Sequence, residues 1–349
     1  MRLSLLDYAR FFAAFSVVVF HYFYSGISNG KIVTIQKTYL FDIASYGHFG
    51  VQFFFMISGY VIFFSLKNKD AASFLKSRLK RLYPTYWFAV IFTAFFAYLW
   101  GGGTDMAVSL KQILVNLTML QQFVNVKNVD GVYWTLFYEI IFYAIVFLIL
   151  HIGNFKKLLA FLIIWPILII IVNTFSNGFF IFNLYFLFFI IGAMFALLKN
   201  GHISKLIALI ILLISACAGF YQIYQAALIK DNNLIIVILI YISMLSFFAI
   251  LNVNRFREIN LPRSQDIGGM TYPIYLIHAH FGYLFINKFA NYQNQIYIYI
   301  ILILLVLIFS WILWYVVEVK QEKFWYKLFN LLVRPLSKNY ERKFFENEK

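Results

Sequence analysis

Arg10 and His21 stand eleven positions apart in the first apolar stretch of the chain, with Asp7 one turn before the arginine. At about 100° per residue, eleven positions carry a helix about 20° past three full turns, so the two side chains share a face about 16 Å apart along it. An imidazole takes and returns a proton near neutral pH, and a guanidinium holds anionic oxygens. Together they suit an elongated polyanionic ligand that enters beside the arginine and reacts beside the histidine. Asp7 and Arg10 are close enough to pair on one helix face, which also makes them a structural ion pair in the simpler reading.

Further residues of chemical type recur along the chain. Arg78 and Arg81 are three apart before Pro84, and two planar guanidiniums at that spacing can grip phosphates bidentately, although basic residues at a membrane boundary also serve as plain anchors. Glu139 follows Trp134 by five residues within an apolar run. A bare carboxylate in lipid is untenable, so it should face the interior and find a partner, for which His21 is the candidate. Gln52 and Ser58 lie in the second apolar run, and Tyr275 and His278 in the ninth. His278 and His280 are two apart, about 200° around a helix, and make a poor chelating pair; no metal site is expected. No glycine-rich phosphate loop and no serine elbow occurs.

The elements that must position these groups are membrane helices. With 63% hydrophobic and 12% charged residues, the chain has too few polar groups to build the surface of a soluble domain. A bilayer core about 30 Å thick needs about 20 apolar residues per helix, and spans are expected near 5–24, 47–66, 82–100, 133–152, 157–173, 179–198, 204–222, 234–252, 270–287 and 295–317. The fold class is thus all-α, a polytopic bundle of about ten transmembrane helices. With the N-terminus inside, the cytoplasmic segments hold 22 Lys and Arg against 6 opposite, so both termini are expected in the cytoplasm. The net charge of +15 therefore reflects helix flanks against the bilayer and gives no reason to expect a nucleic-acid partner. Asp7, Arg10 and His21 argue against a cleaved leader in the first span. The single cysteine, Cys217, allows no intramolecular disulfide.

Two segments outside the spans are amphipathic. Leu110, Ile113, Leu114, Leu117 and Val124 predict an interfacial helix on the outer side, either a packed loop or a lid. The tail 318–349 mixes Phe324, Trp325, Leu328 and Leu332 with lysines and arginines, as a helix lying on an anionic inner leaflet would. The division expected is a transmembrane domain over 1–317 and this tail.

Taken together, these segments resemble the acyltransferase family 3 membrane proteins, which move acetyl and related acyl groups onto cell-envelope carbohydrates. The likeness is carried by Leu6, Asp7 and Arg10 with ten residues before His21, then by Phe49, Gly50 and Val51 with the Phe53 to Phe55 run and Ser58, Gly59. It continues with Arg78 and Arg81 before Pro84, with Trp134, Leu136 and Glu139, and with Tyr272, Pro273, Tyr275, Leu276 and His278. The resemblance implies an acyl-coenzyme A taken from the cytoplasm as co-substrate, no permanently bound cofactor, and an acceptor at the outer side. It implies that Arg10 and His21 are the catalytic pair and that Arg78 and Arg81 hold the coenzyme's phosphates. Gln52 departs from the pattern, standing where relatives commonly carry an acid, and no proton transfer is assigned to it.

The expected function is O-acetylation of a sugar hydroxyl on a polysaccharide or lipid-linked glycan, from acetyl-coenzyme A, at a bacterial inner (plasma) membrane. Sugar hydroxyls are feeble nucleophiles and need a positioned base, here His21, with Glu139 orienting the ring and Arg10 offsetting negative charge. An acyl-histidine intermediate is the variant. The alternative is a glycan transporter or flippase in which the same polar residues line a pathway.

Overall fold

The computed structural model describes residues 3–66, 70–176 and 180–336. Arg2, Lys67, Lys69, the first residue of the span expected at 179–198, and the tail residues 337–349 lie outside them. Every regular element among the described residues is helical.

Eight helices are long and apolar enough to cross a membrane: α1 (Ser4–Ser28), α2 (Phe41–Ser65), α3 (Ala71–Trp100), α4 (Gly131–Ile152), α5 (Phe155–Phe175), then α7 (Lys205–Ile229), α8 (Leu234–Leu251) and α11 (Gln295–Lys320). Between them lie α6 (Phe186–Asn200), fifteen residues long, and the pair α9 (Ser264–Ile277) and α10 (Ala279–Phe289), which meet at His278. These occupy the other two expected positions. A final helix, α12 (Glu322–Val333), follows α11.

The helices pack through small residues, as membrane helices do when close backbone approach replaces the hydrophobic drive. A side-chain carbon on Gly59 of α2 would overlap the Phe189 carbonyl of α6, and one on Gly192 of α6 would overlap the Met56 carbonyl of α2. Gly268 of α9 makes room for the Asp7 side chain of α1 in the same way. Short α6 is buried almost throughout, whereas α5, α7, α8 and α11 leave many large apolar side chains exposed, as a ring facing lipid does.

Two expectations about the flanks are corrected. The basic run before the third span is the first part of α3 itself: Asp70 accepts from Ser73 N at 3.0 Å and caps the helix, which carries Arg78 and Arg81 inside its first three turns. The stretch 110–124 is no interfacial helix. A seven-residue helix (Leu110–Asn116) ends in a turn whose backbone lies against the middle of α3, with Trp87 Nε1 donating to Leu117 O at 2.9 Å and Tyr83 Oη to Thr118 O at 3.0 Å. Trp87 is thirteen residues from the end of α3 at Trp100, about 20 Å of helix. The segment therefore re-enters the bundle, which irregular backbone tolerates only when its polar groups are satisfied by protein. Buried Asn116 supplies much of this, donating to Gln112 O and Lys127 O and accepting from Val129 N.

In the tail, Trp325 and Phe329 of α12 are buried beside Leu79, Tyr83 and Trp87 of α3, while Phe324 and Leu332 remain exposed. The helix is pinned by Lys80 Nζ to Glu322 Oε1 at 2.6 Å.

Candidate functional site

The end of the bundle that carries Arg78 and Arg81 is called the basic end. Three cavities lie in series from it. The first is lined by Asp7, Arg10, Arg81, Gly268, Trp314 and Glu318. It shares Arg10, Val61 and Arg81 with a narrow central cavity of about 110 Å³, whose wall includes Ser58, Arg78, Glu139, Tyr143 and Tyr272. The central cavity shares Val51 and Tyr275 with a third of about 440 Å³, lined by His21, His48, Gln52, Trp134, Tyr185, Gln222 and Lys230.

Arg10 sits with the other guanidiniums, at the junction of the first two cavities, and not with His21. Its Nη1 is 3.7 Å from Asp7 Oδ1. Arg81 is not free: its Nη1 donates to Glu318 Oε2 at 2.7 Å, and the other carboxylate oxygen accepts from Thr85 at 2.7 Å. Glu318 was missed in the sequence because it reads there as the first residue of the tail, yet it belongs to the π-helical end of α11, whose widened turn lies at the cavity wall. Arg78 lies over the rings of Phe74 and Tyr143, at 5.8 and 5.6 Å from their centroids.

Glu139 does not meet His21. It faces the central cavity and accepts from Ser58 Oγ at 3.3 Å and from the Tyr143 hydroxyl. The physical reason is the start of α4. Asp130 caps the turn before that helix and accepts from the backbone N–H of His280 at 2.9 Å, so α4 begins level with the junction of α9 and α10, inside the bundle. Two turns farther on, Glu139 has already passed His21 toward the basic end.

His21 is instead bound to α10: its Nδ1 lies 2.6 Å from the Tyr283 hydroxyl, and its ring centre is 5.0 Å from that of His278. It opens a π-helical turn, His21–Ser25, within α1, the kind of widened turn that recurs at functional sites. His278 is fully buried, and its Nδ1 faces the carbonyls of Tyr275 and Ile274 at 2.8 and 3.1 Å. Carbonyls only accept, so Nδ1 carries the proton and Nε2, which has no partner among the described residues, is a lone pair. Tyr22 Oη donates to the His278 carbonyl at 2.8 Å and ties α1 to the junction.

The remaining sequence candidates divide between the chambers. Ser58 lies in the central cavity, Gln52 and Trp134 in the third, and Tyr275 between them, its hydroxyl 2.7 Å from Thr135 Oγ1. Tyr283 carries no sequence signal, being one of 25 tyrosines.

The arrangement joins a chamber walled by the Arg10–Asp7 and Arg81–Glu318 pairs through a narrow passage to a roomier chamber containing an imidazole. No curated protein and no solved structure matches the chain. The family model of the acyltransferase domain matches residues 3–315, and with that span covering α1 to α10 whole and α11 up to its last turn, the chain belongs to acyltransferase family 3 and is a membrane acyltransferase.

Proposed function

We propose that the protein takes an acetyl or related acyl group from an acyl-coenzyme A at the cytoplasmic face of a bacterial inner (plasma) membrane. The group is passed to a sugar hydroxyl of a polysaccharide or lipid-linked glycan at the outer face. The observation that carries this reading is the series of three cavities with shared walls, guanidiniums at one end and His21 at the other. A central cavity of about 110 Å³ suits a linear arm and not a sugar ring, whereas the third, of about 440 Å³, has room for an acceptor.

In this reading Arg78 and Arg81 hold the donor's phosphates, Glu318 giving way as the competing anion, and Arg10 offsets charge along the path. The acyl thioester reaches His21. With Nδ1–H donated to the Tyr283 oxygen, Nε2 is the base: it takes the proton of the acceptor hydroxyl as that oxygen attacks the thioester carbonyl. The carbon–sulfur bond then breaks, and the coenzyme leaves as a thiol carrying the proton that His21 returns. His278, its ring centre 5.0 Å from that of His21, is a positioning residue.

The test is release of free coenzyme A from acetyl-coenzyme A by purified protein with an envelope-glycan extract as acceptor. Wild type turns over, His21→Ala does not, and Arg78→Ala needs more donor. Folded wild type that releases no coenzyme A from any of several acyl donors overturns the reading and leaves a glycan carrier in its place.

A further inference from the structure

The wall of the third cavity holds polar groups that the acyl-transfer chemistry does not use. Gln52 is 2% exposed; its Nε2 donates to Gln222 Oε1 at 3.3 Å, and its Oε1 has no donor among the described residues. His48 Nδ1 is 2.6 Å from the Ser45 carbonyl and so carries the ring proton, which leaves buried Nε2 a second acceptor without a donor. Buried acceptors without donors lose their hydration without replacement, so the site favours a ligand that brings hydroxyl hydrogens. Trp134 and Tyr185, with ring centres 5.1 Å apart, add flat apolar surface beside them, and Gln225 adds another amide. That is the pairing of surfaces a sugar ring presents: apolar faces and a hydroxyl rim.

The charge of the wall is one-sided. Lys230 lines the cavity, its ammonium 5.9 Å from the Phe20 ring centre, and it forms no ion pair among the described residues. Among the described residues no aspartate or glutamate lines the cavity. Lys31, the other lysine near His21, lies over the Tyr283 ring at 5.8 Å and has the Asp130 charge within reach. Asp231 follows Lys230 in sequence but is exposed outside the lining.

We propose that the third cavity is the acceptor site and that it selects an anionic glycan, one bearing a carboxylate or phosphodiester group that meets Lys230 while its hydroxyls meet Gln52 and His48. The proposal rests on the acyl-transfer reading above and names its substrate class.

The experiment uses the full chain in detergent with acetyl-coenzyme A labelled in the acetyl group. An envelope-glycan extract of the cells that carry the protein is separated on an anion exchanger into retained and unretained fractions. Label that depends on His21 is expected in the retained fraction. Lys230→Gln raises the KM for that fraction about tenfold at unchanged donor KM, and Lys230→Arg restores it. Equal elution of both variants as single species separates this effect from misfolding. Carboxyl reduction of the retained fraction abolishes acceptance if the anion is a carboxylate, and hydrofluoric acid cleavage abolishes it if it is a phosphodiester. Label confined to the unretained fraction, or a Lys230→Gln enzyme with unchanged acceptor KM, overturns the anionic site and leaves acyl transfer standing. Absence of His21-dependent coenzyme A release overturns the acyl-transfer reading itself.

Discussion

Nδ1 of His21 and the hydroxyl of Tyr283 are 2.6 Å apart, although 262 positions separate them in the chain. The contact joins the π-helical turn of α1 to α10 and fixes which ring nitrogen of His21 is left for chemistry. Tyr283→Phe removes that partner and keeps the ring. The expected result is a kcat lower by about ten- to a hundredfold at unchanged donor KM, as loss of a ring-orienting partner gives elsewhere. A kcat within twofold of wild type would show that His21 needs no such support.

Arg81 and Glu318 form a cross-helix pair whose side chains are 35% and 17% exposed, so its worth is discounted toward that of a solvated pair, about 1 kcal/mol. Arg81→Ala should lower the melting midpoint in detergent by a few degrees and raise the donor KM. Adding Glu318→Gln should recover the midpoint, because the stranded carboxylate is gone, but not the KM. Recovery of both would assign Arg81 a structural role only.

Gly192→Leu forces α6 away from α2, since even its first side-chain carbon overlaps the Met56 carbonyl. Loss of monodisperse protein on size exclusion is expected. Gly102→Ala, with open space around it, serves as the control and should behave as wild type. A normal elution profile for the Leu variant would mean that the two helices do not pack this closely.

Burial holds the Lys230 ammonium below its ordinary value. Its charge is therefore lost earlier as pH rises, and an anionic acceptor should bind progressively worse on the alkaline side. His21 and His48 share the wall, so the comparison is between wild type and Lys230→Arg, which leaves both in place. The acceptor KM of wild type should climb toward alkaline pH while that of the Arg variant stays level. Parallel profiles would remove Lys230 from acceptor recognition.

The helices were legible because lipid imposes a single rule on length and polarity, and stretches such as Leu234–Leu251 obey it along their full extent. The sequence sets the start of α3 eleven residues late because its first turns are basic and amphipathic, a pattern that hydropathy reads as loop. The residues with chemistry in them were visible by type, but their grouping was not. Glu139 was assigned to His21 on the assumption that its helix begins at the membrane surface, and the Asp130 contact with His280 places that beginning deeper. Nothing local encodes that depth. The same holds for Lys230, which reaches the third cavity because α7 runs to Ile229, seven residues past the expected end of its span.

The segment that returns along α3 also sets an order of assembly. The side-chain amides of Asn116, Gln112 and Gln121 bond to residues 112–129 of the same segment, and its docking groups, Tyr83 and Trp87, belong to a helix already threaded before it is synthesised. It cannot enter bare lipid by itself, because each unpaired amide there costs several kcal/mol. Its burial must therefore wait until α3 and α4 stand side by side, which makes it a late step in biogenesis. Cysteine labelling at Met119, 1% exposed once the segment is packed, fast before α4 emerges and slow after, is the pattern this order requires.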